Sequence, residues 1–61
     1  MMTTSEVATL FGVHHSTVRR WCREGTLRYH ADRSRGERRF RYEDVAVAYL
    51  DRYFRQFLAG K

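Results

Sequence analysis

The segment from His14 to Glu24 reads HHSTVRRWCRE, and its reading decides the fold. Wound as an α-helix at about 100° per residue, it sets Val18 and Trp21 on one side and gathers Ser16, Arg19, Arg20 and Arg23 on the other. An indole is costly to leave in water and a guanidinium is costly to remove from it. The helix is therefore expected to dock by Val18 and Trp21 and to point its arginines outward.

The surroundings strengthen that polarity. No Lys or Arg precedes Arg19, whereas Arg19 to Arg41 holds nine arginines against Glu24, Asp32 and Glu37. The excess is a local patch within a chain of net charge +5, and it points to a polyanionic partner. A row of arginines on a short rigid rod suits the major groove of double-stranded DNA, whose width admits a helix and whose guanines accept paired Arg hydrogen bonds. The plainer alternative is a solvated helix face that happens to be basic. Sixty-one residues are expected to form one domain, residues 1–61, with a small core and little room for an enclosed active site. The single cysteine, Cys22, excludes an internal disulfide and fits a reducing compartment. The sequence has no run resembling a membrane span or a signal peptide, so a soluble intracellular protein is expected.

Upstream, Thr3-Thr4-Ser5-Glu6 matches a capping box, so a first helix is predicted from Thr4. Its inward stripe is Val7, Ala8 and Phe11, with Leu10 beside them; Gly12 closes it and Val13 plugs the turn. Two short helices joined by a glycine-containing turn make a helix-turn-helix. His14 stands where Ser, Thr, Asp or Asn caps best, so the second helix is expected to draw on Ser16, Thr17, water or a phosphate at its amino end. Gly25 ends that helix. Leu27 and Tyr29 then alternate with Arg28 and His30, and Phe40 lies between Arg39 and Arg41, which reads as two short strands. Ala31 to Glu37 between them reads as an exposed flexible hairpin tip, a basic wing beside a basic helix or else merely a solubilising loop.

A third helix is predicted from Tyr42 or Glu43 to about Leu58, with Glu43 and Asp44 at the positive end of its dipole. Its apolar arc is unusually wide. Val45, Tyr49 and Leu50 are expected to close the core, while Tyr53, Phe54, Phe57 and Leu58 either wrap back on it or meet another protein. The fold class is thus mainly α with a small β-hairpin, a winged helix-turn-helix in the order α-α-β-β-α. No catalytic constellation is visible, and neither a metal nor a cofactor is expected. His14, His15 and Cys22 lack a further ligand nearby in sequence, and no nucleophile has a base and an orienting acid nearby in sequence.

Residues 3–28, TTSEVATLFGVHHSTVRRWCREGTLR, with GERRFRYEDV at 36–45, resemble the winged helix-turn-helix of the MerR superfamily, in particular its small excisionase-like, helix-turn-helix-17 branch. The shared pieces are Thr3-x-x-Glu6-Val7-Ala8, Gly12-Val13, Ser16 to Trp21, Gly25 and Arg38 to Arg41. The resemblance implies that Ser16 to Arg23 read DNA, that the wing touches the backbone and that Arg38 contacts a phosphate. His14-His15 replaces the family's usual Ser-Pro, and Phe40 stands where many members have Tyr. The long dimerisation helix and effector domain of larger MerR regulators are not matched, which argues against effector sensing.

The expected DNA-binding set is His15, Ser16, Thr17, Arg19, Arg20 and Arg23 from the helix, with Arg33, Arg35, Arg38 and Arg39 from the wing. The resemblance implies a phage or mobile-element excisionase, a recombination directionality factor that bends DNA and steers an integrase toward excision. Its expected setting is the bacterial cytoplasm, and its expected partners are DNA, an integrase and neighbouring copies of itself on DNA, the free protein being a monomer. A small transcriptional regulator of the same fold is the alternative, and a protein-interaction module using the last helix is a third.

Overall fold

In the computed structural model, which describes residues 1–34 and 36–60, the chain runs β1 (Met2–Thr3), α1 (Thr4–Phe11), α2 (His15–Arg23), β2 (His30–Asp32), β3 (Glu37–Phe40) and α3 (Tyr42–Ala59). It is a winged helix-turn-helix: three helices and a small antiparallel sheet in the order β1-β3-β2.

The helix-turn-helix is built locally. Thr3 caps α1 in an extended conformation, its hydroxyl accepting from the Glu6 N–H at 3.1 Å while the Glu6 carboxylate accepts from the Thr3 N–H at 3.0 Å. Gly12 then adopts φ 69°, and Val13 N–H donates back to the Ala8 carbonyl at 3.0 Å, which turns the chain toward α2. The second turn repeats the device: Gly25 takes φ 77°, and the Thr26 and Leu27 N–H groups both donate to the Trp21 carbonyl.

The amino end of α2 departs from expectation, because His14 itself is the cap. Its Nδ1 accepts from the Ser16 N–H at 3.1 Å, so the acceptor that a Ser or Asp side chain normally offers is supplied by an imidazole carrying its proton on Nε2.

The core consists of Val7 and Ala8 from α1, Val18 and Cys22 from α2, Leu27, Phe40 from β3 and Val45 from α3. Trp21 is not at its centre. It sits half-buried on the rim, edge-on to Phe11 at 5.1 Å between ring centroids and with the Arg52 guanidinium 5.3 Å from its ring centre. The pair Val18 and Cys22, four residues apart, defines the buried side of α2, and Trp21 lies about 60° round from Val18. Leu10 and Leu50, both expected inside, are exposed. So are Tyr53, Phe54, Phe57 and Leu58, and the end of α3 therefore faces outward and does not wrap back.

The strands also lie elsewhere than the alternation suggests. Leu27 is buried in the turn after α2, and the hairpin pairs His30 with Arg39, Ala31 with Arg38 and Asp32 with Glu37, so the strands take in Ala31 and Glu37 from the ends of the expected tip. Asp32 shapes that tip, its carboxylate accepting from Ser34 N–H at 3.0 Å and Ser34 Oγ at 2.7 Å. β1, which the sequence does not announce, pairs Met2 with Phe40 and Thr3 with Arg39. The extended conformation that Thr3 needs as a cap is also one that can run beside β3.

The two hydrogen bonds to Thr3 hold the Glu6 carboxyl below its ordinary range, the backbone bond contributing most. A depressed carboxyl contributes stability above its unfolded-state pKa and loses it as pH falls through the folded-state value. Glu6→Ala is therefore expected to melt at a lower temperature than the native chain at pH 7. The gap is expected to narrow as the pH falls from the ordinary glutamate range through the lower folded-state value, below which the carboxyl is protonated and alanine's helix propensity is no handicap. Melting curves recorded across that range check it, and a gap that does not change with pH refutes the ionic cap.

Candidate nucleic-acid interface

α2 displays its cations on the side away from Val18 and Cys22. Arg19, Arg20 and Arg23 are exposed, as are His15 and Ser16, while Thr17 is half-buried and anchors the first turn through its N–H to the His14 carbonyl. Arg20 and Arg23 occupy the last turn, where the negative end of the helix dipole stabilises them in the absence of any ligand.

A groove opens where the wing meets this helix. Its walls are Thr3, Thr4 and Ser5 from the start of α1, His15 and Arg19 from α2, and Gly36 to Arg39 from the wing. His15 Nε2 lies 3.4 Å from Ser5 Oγ, tying the two helices together across it. The structure thus brings His15, Arg19, Arg38 and Arg39 to one place, while Arg20, Arg23 and the exposed Arg33 lie outside it. Arg35 falls outside the described residues. The sequence reading missed the part played by α1. The capping box at Thr3 is the signal that could have shown it, since it puts the positive end of the α1 dipole at a defined point.

The two arginines of β3 are not equivalent. Arg38 is half-buried, its guanidinium 5.2 Å from the Tyr29 ring centre, and its Nε is enclosed with no hydrogen-bond partner among the described residues. Arg39 reaches Glu37 at 3.1 Å and Asp32 at 3.9 Å, so much of its charge is balanced within the wing. Beneath the sheet, burial pushes the Cys22 thiol up, with the nearby Arg38 charge opposing, which keeps it a neutral core group. Among the described residues no three His, Cys, Asp or Glu side chains converge on a point where a metal could bind.

The family model HTH_17, a helix-turn-helix domain, matches residues 1–56. The chain belongs to that family. It is a DNA-binding helix-turn-helix protein, and the basic face of α2 and the wing beside it are the parts of the fold suited to that work. No curated protein and no solved structure matches the chain. Among the described residues no helix is long and apolar enough to cross a membrane.

Proposed function

We propose that this helix-turn-helix protein is an architectural factor of the excisionase kind, carried by a phage or mobile element, that bends DNA and directs an integrase toward excision in the bacterial cytoplasm. The observation that carries the reading is a groove shared by α2 and the wing, lined by His15, Arg19, Arg38 and Arg39. A duplex seated there takes α2 in its major groove, with Ser16, Thr17, Arg20 and Arg23 toward the base edges, and the wing along the adjoining backbone. Arg38 and Arg19 then meet phosphate, helped by the amino end of α1, and Arg33 extends the track along the wing tip. Arg39 contributes less, because Glu37 and Asp32 already hold it.

So small a surface makes few phosphate contacts, and tight binding then needs neighbouring copies on adjacent sites, each raising the effective concentration of the next. At the nanomolar concentrations of a binding assay the free protein is a monomer. Gel shifts on duplexes bearing one or two copies of a selected site, with end-to-end energy transfer across each duplex, test the reading. Cooperative filling of the two-site duplex with a bend is the expected result. Independent filling of straight DNA overturns it in favour of a small transcriptional regulator.

A further inference from the structure

The cap on α2 leaves half of His14 unused. A neutral imidazole has two ring nitrogens, of which one accepts a hydrogen bond and the other donates. Nδ1 is committed to the helix: it accepts from the Ser16 N–H at 3.1 Å, and Ser16 Oγ stands 3.0 Å away as a second donor. Both bonds need the Nδ1 lone pair, so the ring proton is fixed on Nε2. The helix thus decides which hydrogen-bonding group its first side chain shows to the outside.

That Nε2–H has no hydrogen-bond partner among the described residues, and the side chain is exposed. No carboxylate lies near it in sequence. Between Glu6, which is bound to Thr3, and Glu24 the chain has neither Asp nor Glu. The adjoining His15 is placed differently: its Nε2 is engaged with Ser5 Oγ at 3.4 Å, and its ring, 5.8 Å from that of His14, lines the groove with Arg19, Arg38 and Arg39. His14 therefore stands beside the groove wall with a proton to donate, and the acceptor has to come from another molecule.

We infer that His14 holds two partners at once on DNA: Nδ1 keeps the first turn of α2 closed while Nε2–H donates to a phosphate oxygen of the backbone beside the groove. This contact rests on the proposed seating of α2 in the major groove. Phosphate is the acceptor selected, because Arg19 and Arg38 line the adjoining groove and draw the backbone to this wall. A serine cap holds a single oxygen close against the helix, whereas the imidazole divides the two tasks between atoms across a rigid ring. Capping and binding can therefore be removed one at a time.

His14→Asn keeps an oxygen about where Nδ1 accepts and deletes the distal donor, while His14→Gln keeps a distal N–H and deletes the near acceptor. His14→Asn is expected to melt at the native temperature yet bind selected and scrambled duplexes alike about tenfold more weakly, the value of a hydrogen bond to a charged acceptor. Its slope of log affinity against log salt is expected to match the native one, since a neutral donor displaces no counterion. His14→Gln is expected to do the reverse, melting earlier while losing less affinity than His14→Asn at a temperature where both are folded. Anisotropy titrations at mildly alkaline pH, where imidazoles are neutral, measure both, with Arg20→Ala on the same duplexes as the reference for the seating of α2. Native affinity for His14→Asn beside a weakened Arg20→Ala overturns the His14 contact alone, and native affinity for both overturns the seating and the contact with it. A salt slope lowered by about one in His14→Asn also overturns it, because the lost group was then a cation.

Discussion

Phe40→Ala is expected to lose most of the chain's stability and to melt far below the native chain. Phe40 is the largest fully buried side chain, and its strand position makes it the joint between the sheet and the helices: its backbone pairs with Met2, while its ring enters the core beside Val7, Val18 and Val45. Truncating a buried Phe costs about 3 to 5 kcal/mol, from lost transfer free energy and the cavity left behind. A chain of this length has only about 3 to 9 kcal/mol in total. Far-ultraviolet circular dichroism on heating measures the result, with Phe40→Leu as the control expected to lose under about 1.5 kcal/mol and keep its transition. Trp21→Ala provides the contrast. Because its indole lies on the rim between Phe11 and Arg52, the variant is expected to melt earlier yet still fold. A cooperative Phe40→Ala chain melting near the native temperature would show that the sheet is not fastened to the core in this way.

The parts of this architecture legible in the sequence are those whose cause is local. The capping box at Thr3 and Glu6, the positive φ of Gly12 and Gly25, and the arginine face of α2 each depend on residues within one or two turns, and each is found where the sequence puts it. What the sequence hides depends on a distant neighbour. Counting 100° per residue shows that Val18, Trp21 and Cys22 share a side, but it does not say which of them points at Leu27 and Phe40. The core takes the two smaller groups and leaves the indole at the rim. β1 is two residues long and carries no pattern of its own; β3 makes it a strand. The hairpin begins at His30, beyond the Leu27 and Tyr29 alternation, because Leu27 is drawn into the core. His14 escapes a propensity scale for caps since the useful atom is a ring nitrogen in one tautomer.

The same division runs through the interface. That α2 is basic is plain from its arginines, but that Arg39 is held by Glu37 and Asp32 while Arg38 lies over Tyr29 follows from strand register, which sets the two side chains on opposite faces of β3. Nine arginines in one stretch of sequence therefore do not make nine equivalent contacts.

That inequality gives the largest effect expected on binding. Arg20 stands on the exposed face of α2 and Arg33 at the exposed tip of the wing, and in the proposed docking Arg20 meets base edges while Arg33 meets the backbone. Arg20→Ala is expected to weaken a selected duplex by about 1 to 3 kcal/mol, roughly 5- to 150-fold, and to change a scrambled duplex far less, because a base-edge bond has value only on the right base. Arg33→Ala is expected to weaken both duplexes by the same small factor and to lower the slope of log affinity against log salt by about one, since a phosphate contact releases a counterion whatever the sequence. Fluorescence anisotropy titrations of both variants on both duplexes at three or four salt concentrations separate the two roles. Equal losses on selected and scrambled DNA for Arg20→Ala, with a reduced salt slope, would move Arg20 to the backbone and require α2 to sit rotated in the groove.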